Sequence, residues 1–237
     1  VSKYYGGGGG GSSFVVAGTP AVGKVVGWDG SQPIWEAVPT AFDITGFGLT
    51  GASLVLAGAT VTNPGFNAAY NQAAAAANLT DSEGNNDALT LPATSFISPH
   101  AVTKSVYGGA WNFTLHASSP LGSDTAGAGI FWGQNVYYGS AVDPGVYNSA
   151  FANSLTAALK AGPQGSYGFN TPVGQSAFFI VRAPFGLTPA NFTVGGFPFA
   201  CSVVGTANVT NTNGVVESYT FFRSDNTGLG AFTLVEA

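Results

Sequence analysis

Charge is what this chain has least of. Of 237 residues, 6 are Lys or Arg and 11 are Asp or Glu, a charged fraction of 7% and a formal net charge of -5, where an ordinary soluble domain carries about 25%. The cations Lys3, Lys24, Lys104, Lys160, Arg182 and Arg223 stand singly, so no basic stripe can neutralise phosphates and nucleic acid is excluded as a partner. Cysteine is reduced to Cys201, which excludes an intrachain disulfide and the stapled frameworks of small secreted domains. Its apolar setting, Phe197-Pro-Phe-Ala-Cys-Ser-Val-Val204, predicts a buried free thiol. The histidines are His100 and His116, and neither accompanies a Gly-x-Ser-x-Gly elbow, so a hydrolase triad has little to build on. Every apolar run is interrupted well short of the roughly 20 residues of a membrane-spanning helix, and no membrane insertion is expected. Methionine is absent and position 1 is Val; the expectation is a processed chain or, preferably, a piece of a longer polypeptide.

What the chain has instead is 45% hydrophobic residues, enough for a substantial core, and Asn, Ser, Thr and Gly to keep the surface in water. Such a surface suits a rigid exterior protein that hydrogen-bonds sugars or packs against other subunits. Residues 1–13 contain six consecutive glycines, Gly6 to Gly11, and are expected to be a flexible joint, because glycine loses the most backbone entropy on ordering. Residues 14–41 carry short β-prone runs broken by Gly, Pro and a Trp28-Asp29-Gly30-Ser31 turn, and are expected to be a β-rich connector.

The fold expected is all-β, with one short helix. Over 42–134, runs such as Ser53-Leu-Val-Leu-Ala57, Phe66-Asn-Ala-Ala-Tyr70, Trp111-Asn-Phe-Thr-Leu-His-Ala117 and Ala126-Gly-Ala-Gly-Ile-Phe-Trp132 alternate apolar and polar residues between turn signals. That spacing predicts an immunoglobulin-like β-sandwich. Ala73 to Ala77 is too short for a stable helix and is expected to be a loop. Over 135–237 a second β domain is expected, carrying a helix at 148–161: Asn148 caps it, Phe151, Leu155 and Leu159 share a face, and Gly162-Pro163 stops it. Phe178-Phe-Ile-Val-Arg182, Cys201 to Val204, Ala207 to Thr210, Val216 to Phe222 and Ala231 to Val235 follow as strands, with Asn213-Gly214 predicting a type I′ hairpin.

Candidate chemistry is sparse. Most acidic residues, among them Asp29, Asp81, Glu83, Asp87, Asp124, Asp143 and Asp225, sit in turn-like sequence, which fits turn formation better than a carboxylate pair flanking a sugar bond. Asp81-Ser-Glu-Gly-Asn-Asn-Asp87 offers oxygens to a hard cation but lacks EF-hand spacing, so a polar hairpin loop is the reading and no metal is assigned. The sequons at Asn78, Asn112, Asn191 and Asn208 are expected by chance in Asn/Thr-rich strands. Aromatic faces can stack on sugars; most are expected in the core, and Trp28, Tyr138 and Tyr147, read as turn residues, are the candidates for ligand contact. No catalytic residue and no cofactor is assigned.

The ordered motifs Phe42-Asp-Ile-Thr-Gly-Phe47, Gly58-Ala-Thr-Val-Thr-Asn-Pro-Gly-Phe-Asn-Ala-Ala-Tyr70, Asn78-Leu-Thr-Asp81, Val136-Tyr-Tyr-Gly139, Thr193-Val-Gly-Gly-Phe197, Glu217-Ser-Tyr219 and Arg223-Ser-Asp-Asn-Thr-Gly-Leu-Gly230 resemble a C-terminal module of tailed-bacteriophage tail-fibre and other virion-appendage proteins. Gly23-Lys-Val-Val-Gly-Trp-Asp-Gly-Ser31 is similar to the connector that precedes it. The resemblance implies a structural protein on the virion exterior, self-associated as a homotrimer, contacting other virion proteins and attaching to a host-surface glycan or protein without catalysis. A capsid-decorating or head-fibre protein is one alternative, and a polysaccharide depolymerase with paired carboxylates is another.

Overall fold

The computed structural model describes residues 40–236 in full. Before them it describes only the backbone of β1 (Lys3–Tyr4), β2 (Phe14–Val15), β3 (Lys24–Trp28) and β4 (Pro33–Ala37). β1 pairs antiparallel with β2, and β3 with β4 from Lys24↔Ala37 to Trp28↔Pro33. The glycine run 6–11 and the turn residues 29–32 lie outside the described residues.

The next strands in chain order are β5 (Ile44–Leu49), β6 (Leu54–Leu56), β7 (Thr60–Val61), β8 (Gly65–Tyr70), β9 (Ala76–Asp81), β10 (Asn86–Ala88), β11 (Ser95–Ile97), β12 (Val102–Thr103), β13 (Ala110–Ser119) and the 20-residue β14 (Gly122–Ala141). In β13 the pattern is strict. Trp111, Phe113, Leu115 and Ala117 are buried while Asn112, Thr114, His116 and Ser118 face outward, the period-2 consequence of the pleat. The inward row meets the β11-β8-β5 sheet across a core in which Phe66 packs edge-on against Phe113, 4.9 Å between ring centroids. Burying each such ring contributes about 1.5–3 kcal/mol.

After β14 come helix α1 (Ser149–Ser154), β15 (Thr156–Lys160), β16 (Gly165–Thr171), β17 (Ser176–Arg182), two single 3-10 turns at Ala183–Phe185 and Pro189–Asn191, β18 (Phe192–Val194), β19 (Phe197–Pro198), β20 (Cys201–Thr210), β21 (Val216–Thr227) and β22 (Gly230–Glu236). The main sheet runs β10-β9-β13-β14-β17-β21-β20. β14 serves both ends of it: residues 122–131 pair with β13, 131–133 with β6 in parallel, 134–138 with β15 and 137–141 with β17. The expected boundary at 134/135 thus falls inside an unbroken strand. β17 is buried on both faces, as its continuous apolar run requires. Ala177, Phe179 and Val181 face the β16-β22-β18-β19 sheet, and Ile180 faces the cluster under α1.

Two expectations need correction. The helix expected over 148–161 ends at Ser154. Asn148 Oδ1 does accept the Phe151 N–H at 3.0 Å, but Leu155 is extended and 156–160 form a strand on the edge of β14. An isolated helix of this length is marginal, and the open edge at Gln134–Tyr138 offers the same backbone groups a ladder. Phe151 and Leu155 keep their packing role, whereas Leu159 is exposed. The Asn213-Gly214 hairpin forms, yet not as type I′, because only Gly214 has positive φ (79°). Asn211 N–H bonds to Val215 O at 2.9 Å, closing a three-residue loop with glycine at the left-handed position. Asn211 Oδ1 accepts the N–H groups of Asn213 and Val215.

That hairpin tip locks the two ends of the molecule together. The side-chain amides of Asn211 and Asn213 donate to Ala57 O at 2.9 and 3.3 Å, and a Cβ at Gly58 would lie 2.6 Å from Val215 Cγ2. Tyr107 makes a second lock. Its hydroxyl donates to Ala161 O, its ring packs edge-on to Phe131 and Phe185, and the Arg182 guanidinium lies 4.8 Å over it while pairing with Glu217 at 3.0 Å. Replacing Gly58 by Ala meets both a φ of +87° and the Val215 contact. It should lower stability by about 1–3 kcal/mol in denaturant titration.

Glu236 ends β22 with its carboxyl buried, and no hydrogen-bond partner reaches it among the described residues. Burial raises its pKa. The folded state therefore favours the protonated acid, and its stabilising contribution is full below the ordinary carboxylate range and lost as pH rises through the raised value. Glu236→Gln should raise Tm at pH 8 by about 2–4 °C, with the gain shrinking toward zero near pH 4 in a calorimetric pH series.

Candidate functional site

The structure does not bring Tyr138 and Tyr147 together. Trp28 closes β3 on the backbone, and its side chain lies outside the described residues. Tyr138 is on strand β14, not in a turn, and packs edge-on against Tyr167 and Phe169 at 5.1 and 5.8 Å. The reason is the long reach of β14, whose even positions here face the β16-β22 sheet. Tyr147 is in a loop as expected, on the opposite face of the same sheet, beside Phe221 and Phe151.

Tyr147 organises that loop. Its hydroxyl donates to Asp143 Oδ1 at 2.8 Å, the same oxygen accepts the Gly145 N–H at 3.0 Å, and Arg223 pairs with the other carboxylate oxygen. Those partners, the Gly145 N–H first, hold Asp143 below the usual carboxylate range, while burial raises the Tyr147 phenol. Gly205, at the β20 bulge, lies against the ring: a Cβ there would be 3.1 Å from Tyr147 Cδ2.

The titratable groups are engaged in similar structural work. Asp81 accepts the Glu83 and Asn85 N–H groups and the Asn85 side-chain amide, so both of its carboxylate oxygens serve the β9–β10 turn. His100 Nε2 lies 3.1 Å from Asp87 Oδ1 and ties its loop to β10. Asp225 accepts the Ser202 hydroxyl at 2.7 Å. Asp124 accepts the Ile44 and Thr125 N–H groups at 2.9 and 2.8 Å, bonds that hold it below the usual range. Cys201 is buried as expected, and burial pushes its thiol up to about 11, so it carries little thiolate.

What sequence reasoning passed over is the outer face of β9, β13 and β14. The register sets Asn78 beside His116 and His116 beside Thr125, Thr80 beside Thr114 and Thr114 beside Gly127, and Ser118 beside Ser123. The Thr80 hydroxyl donates to Thr114 O at 3.4 Å, and its oxygen lies 3.1 Å from His116 Nε2. Around His116 the surface dips into a depression of about 170 Å³, bordered by Asn78, Ser118, Ser123, Asp124 and Thr125. The signal was available as the polar half of each period-2 alternation, which is ordinarily discounted as mere solvent contact.

The sequence matches no protein-family model and no curated protein. The site must therefore be judged on its own chemistry: hydroxyl, amide and imidazole groups on a rigid sheet, with Asp81, Asp87, Asp124, Asp143 and Glu217 held by turns and ion pairs. As a half-buried anchor of its loop, Tyr147 replaced by Ala should lower stability by about 1–3 kcal/mol, and Tyr147→Phe should cost about 1 kcal/mol. Both are checked by urea unfolding.

Proposed function

We propose that this chain is a structural, non-catalytic recognition protein on the exterior of a tailed-bacteriophage virion, part of a tail fibre or similar appendage, with 42–134 as an immunoglobulin-like sandwich. The observation that carries the reading is a stiff all-β body with an uncharged hydroxyl- and amide-bearing face, in which acidic groups brace turns and loops. Such a body suits recognition by a preformed surface, where little side-chain entropy is lost on contact. The motifs from Phe42 to Gly230 supply the virion context. Loops held on rigid sheets are the usual place for such contacts, and the partners proposed are two further copies in a homotrimer, neighbouring virion proteins, and a host-surface glycan or protein.

Gold-labelled antibody against residues 40–236 should decorate an appendage of intact particles, and the purified protein should compete with those particles for adsorption to host cells. Label confined to the head would replace the reading by a capsid-decorating one. Release of new reducing ends from host polysaccharide, abolished by a single carboxylate change, would replace it by a depolymerase.

A further inference from the structure

We propose that the outer face of β9, β13 and β14, centred on His116, is a binding site for a neutral saccharide. This rests on the recognition reading above and names the place and the ligand class.

The sheet register lays the face out as a grid. β9 presents Ala76, Asn78 and Thr80, β13 presents Ser118, His116, Thr114 and Asn112, and β14 presents Ser123, Thr125, Gly127 and Gly129. Strand rise and spacing make it roughly 10 Å across the strands and roughly 20 Å along them. No Lys, Arg, Glu or large apolar side chain stands on it. Solvent-facing sheet surfaces ordinarily carry both signs of charge; this one carries hydroxyls, amides and one imidazole. Each hydroxyl both donates and accepts, and each Asn side chain does the same from its two ends. That repertoire matches a ligand whose own groups are repeated hydroxyls. An apolar ligand would leave these groups unpaired.

Shape agrees with chemistry. Ala76, at one corner, keeps the floor low beside His116, and the depression of about 170 Å³ is bordered by the side chains of Asn78, Ser118, Ser123 and Thr125. The lining is preorganised: Asn78 Nδ2 donates to Asn86 Oδ1 at 2.7 Å, leaving its oxygen free to accept, and Thr80 fixes the His116 ring through Nε2. Charge selects within the class. No Lys or Arg stands on the face, and the chain's net charge is -5. A uronic or sialic acid would find no cation there to offset its charge, whereas a neutral sugar can donate a hydroxyl to the Asn78 side-chain oxygen.

The test titrates ¹⁵N-labelled full chain with neutral oligosaccharides of glucose, galactose, rhamnose and N-acetylhexosamine, and with acidic counterparts, following amide shifts. A neutral sugar should shift residues 76–80, 114–118 and 123–127 together, and acidic sugars should shift them at least tenfold more weakly. His116→Ala and Asn78→Ala should each weaken binding tenfold or more without changing Tm. Ala76→Val, which fills the floor and leaves every polar group in place, should do the same. Shifts confined to other surfaces, a preference for acidic sugars, or no binding by any sugar while the protein still competes for host adsorption would overturn the saccharide site and leave the recognition reading standing. Loss of both adsorption and virion labelling would instead remove the reading on which it rests.

Discussion

The hydrogen-bond ladder along β14 is the constraint on which the rest depends. A strand of 20 residues has two edges to satisfy, and an unpaired backbone group buried in a core is expensive. Here β13 pairs with residues 122–131 and β6 with 131–133, while β15 and β17 take the two edges of 134–141. Because one strand belongs to both cores, the two facing sheets are referenced to a common frame. Tyr107 and the Asn211–Asn213 hairpin then fasten segments that lie far apart in sequence, through bonds to Ala161 and Ala57.

A second consequence is division of labour between the two faces of the main sheet. In the second half both faces are covered, by the β16-β22-β18-β19 sheet and by α1 with Tyr147, so β17 and β21 carry aromatics on both sides. In the first half the inner face alone is apolar, and the outer face is left to Asn, Ser, Thr and His. The edge of the sheet is also managed. Ser149 and Asn153 of α1 bond the backbone of β20 at Asn208 and Thr210, occupying groups that would otherwise invite another strand.

With so few charges, electrostatics acts locally. Arg182–Glu217, Arg223–Asp143 and His100–Asp87 each pin a loop or strand end, and Asp81 and Asp124 serve as acceptors for backbone N–H groups. Recognition through long-range steering is poorly served by this pattern, and recognition through short-range hydrogen bonding is well served.

The all-β class was legible in residues such as 111–117 and 178–182, because alternation and continuous apolar runs report directly on one-sided and two-sided burial. The buried thiol of Cys201 and the loop position of Tyr147 were legible for the same reason. β5 and β16 were not, since Gly46, Gly48, Gly165 and Gly168 mask the alternation in Ile44–Leu49 and Gly165–Thr171. The strand at 156–160 read as helix because alanine and leucine spacing favours that locally, and only the open edge of β14 decided otherwise. Tyr138 read as a turn residue because the extent of β14 is set by its neighbours. By itself, then, the sequence determined which residues alternate, which turns close and how little charge is present, all properties of near neighbours along the chain. The shared strand, the locks between its two ends, and the convergence of Asn78, His116 and Thr125 on one face were decided by tertiary structure alone, because pairing register is a property of strands meeting in space.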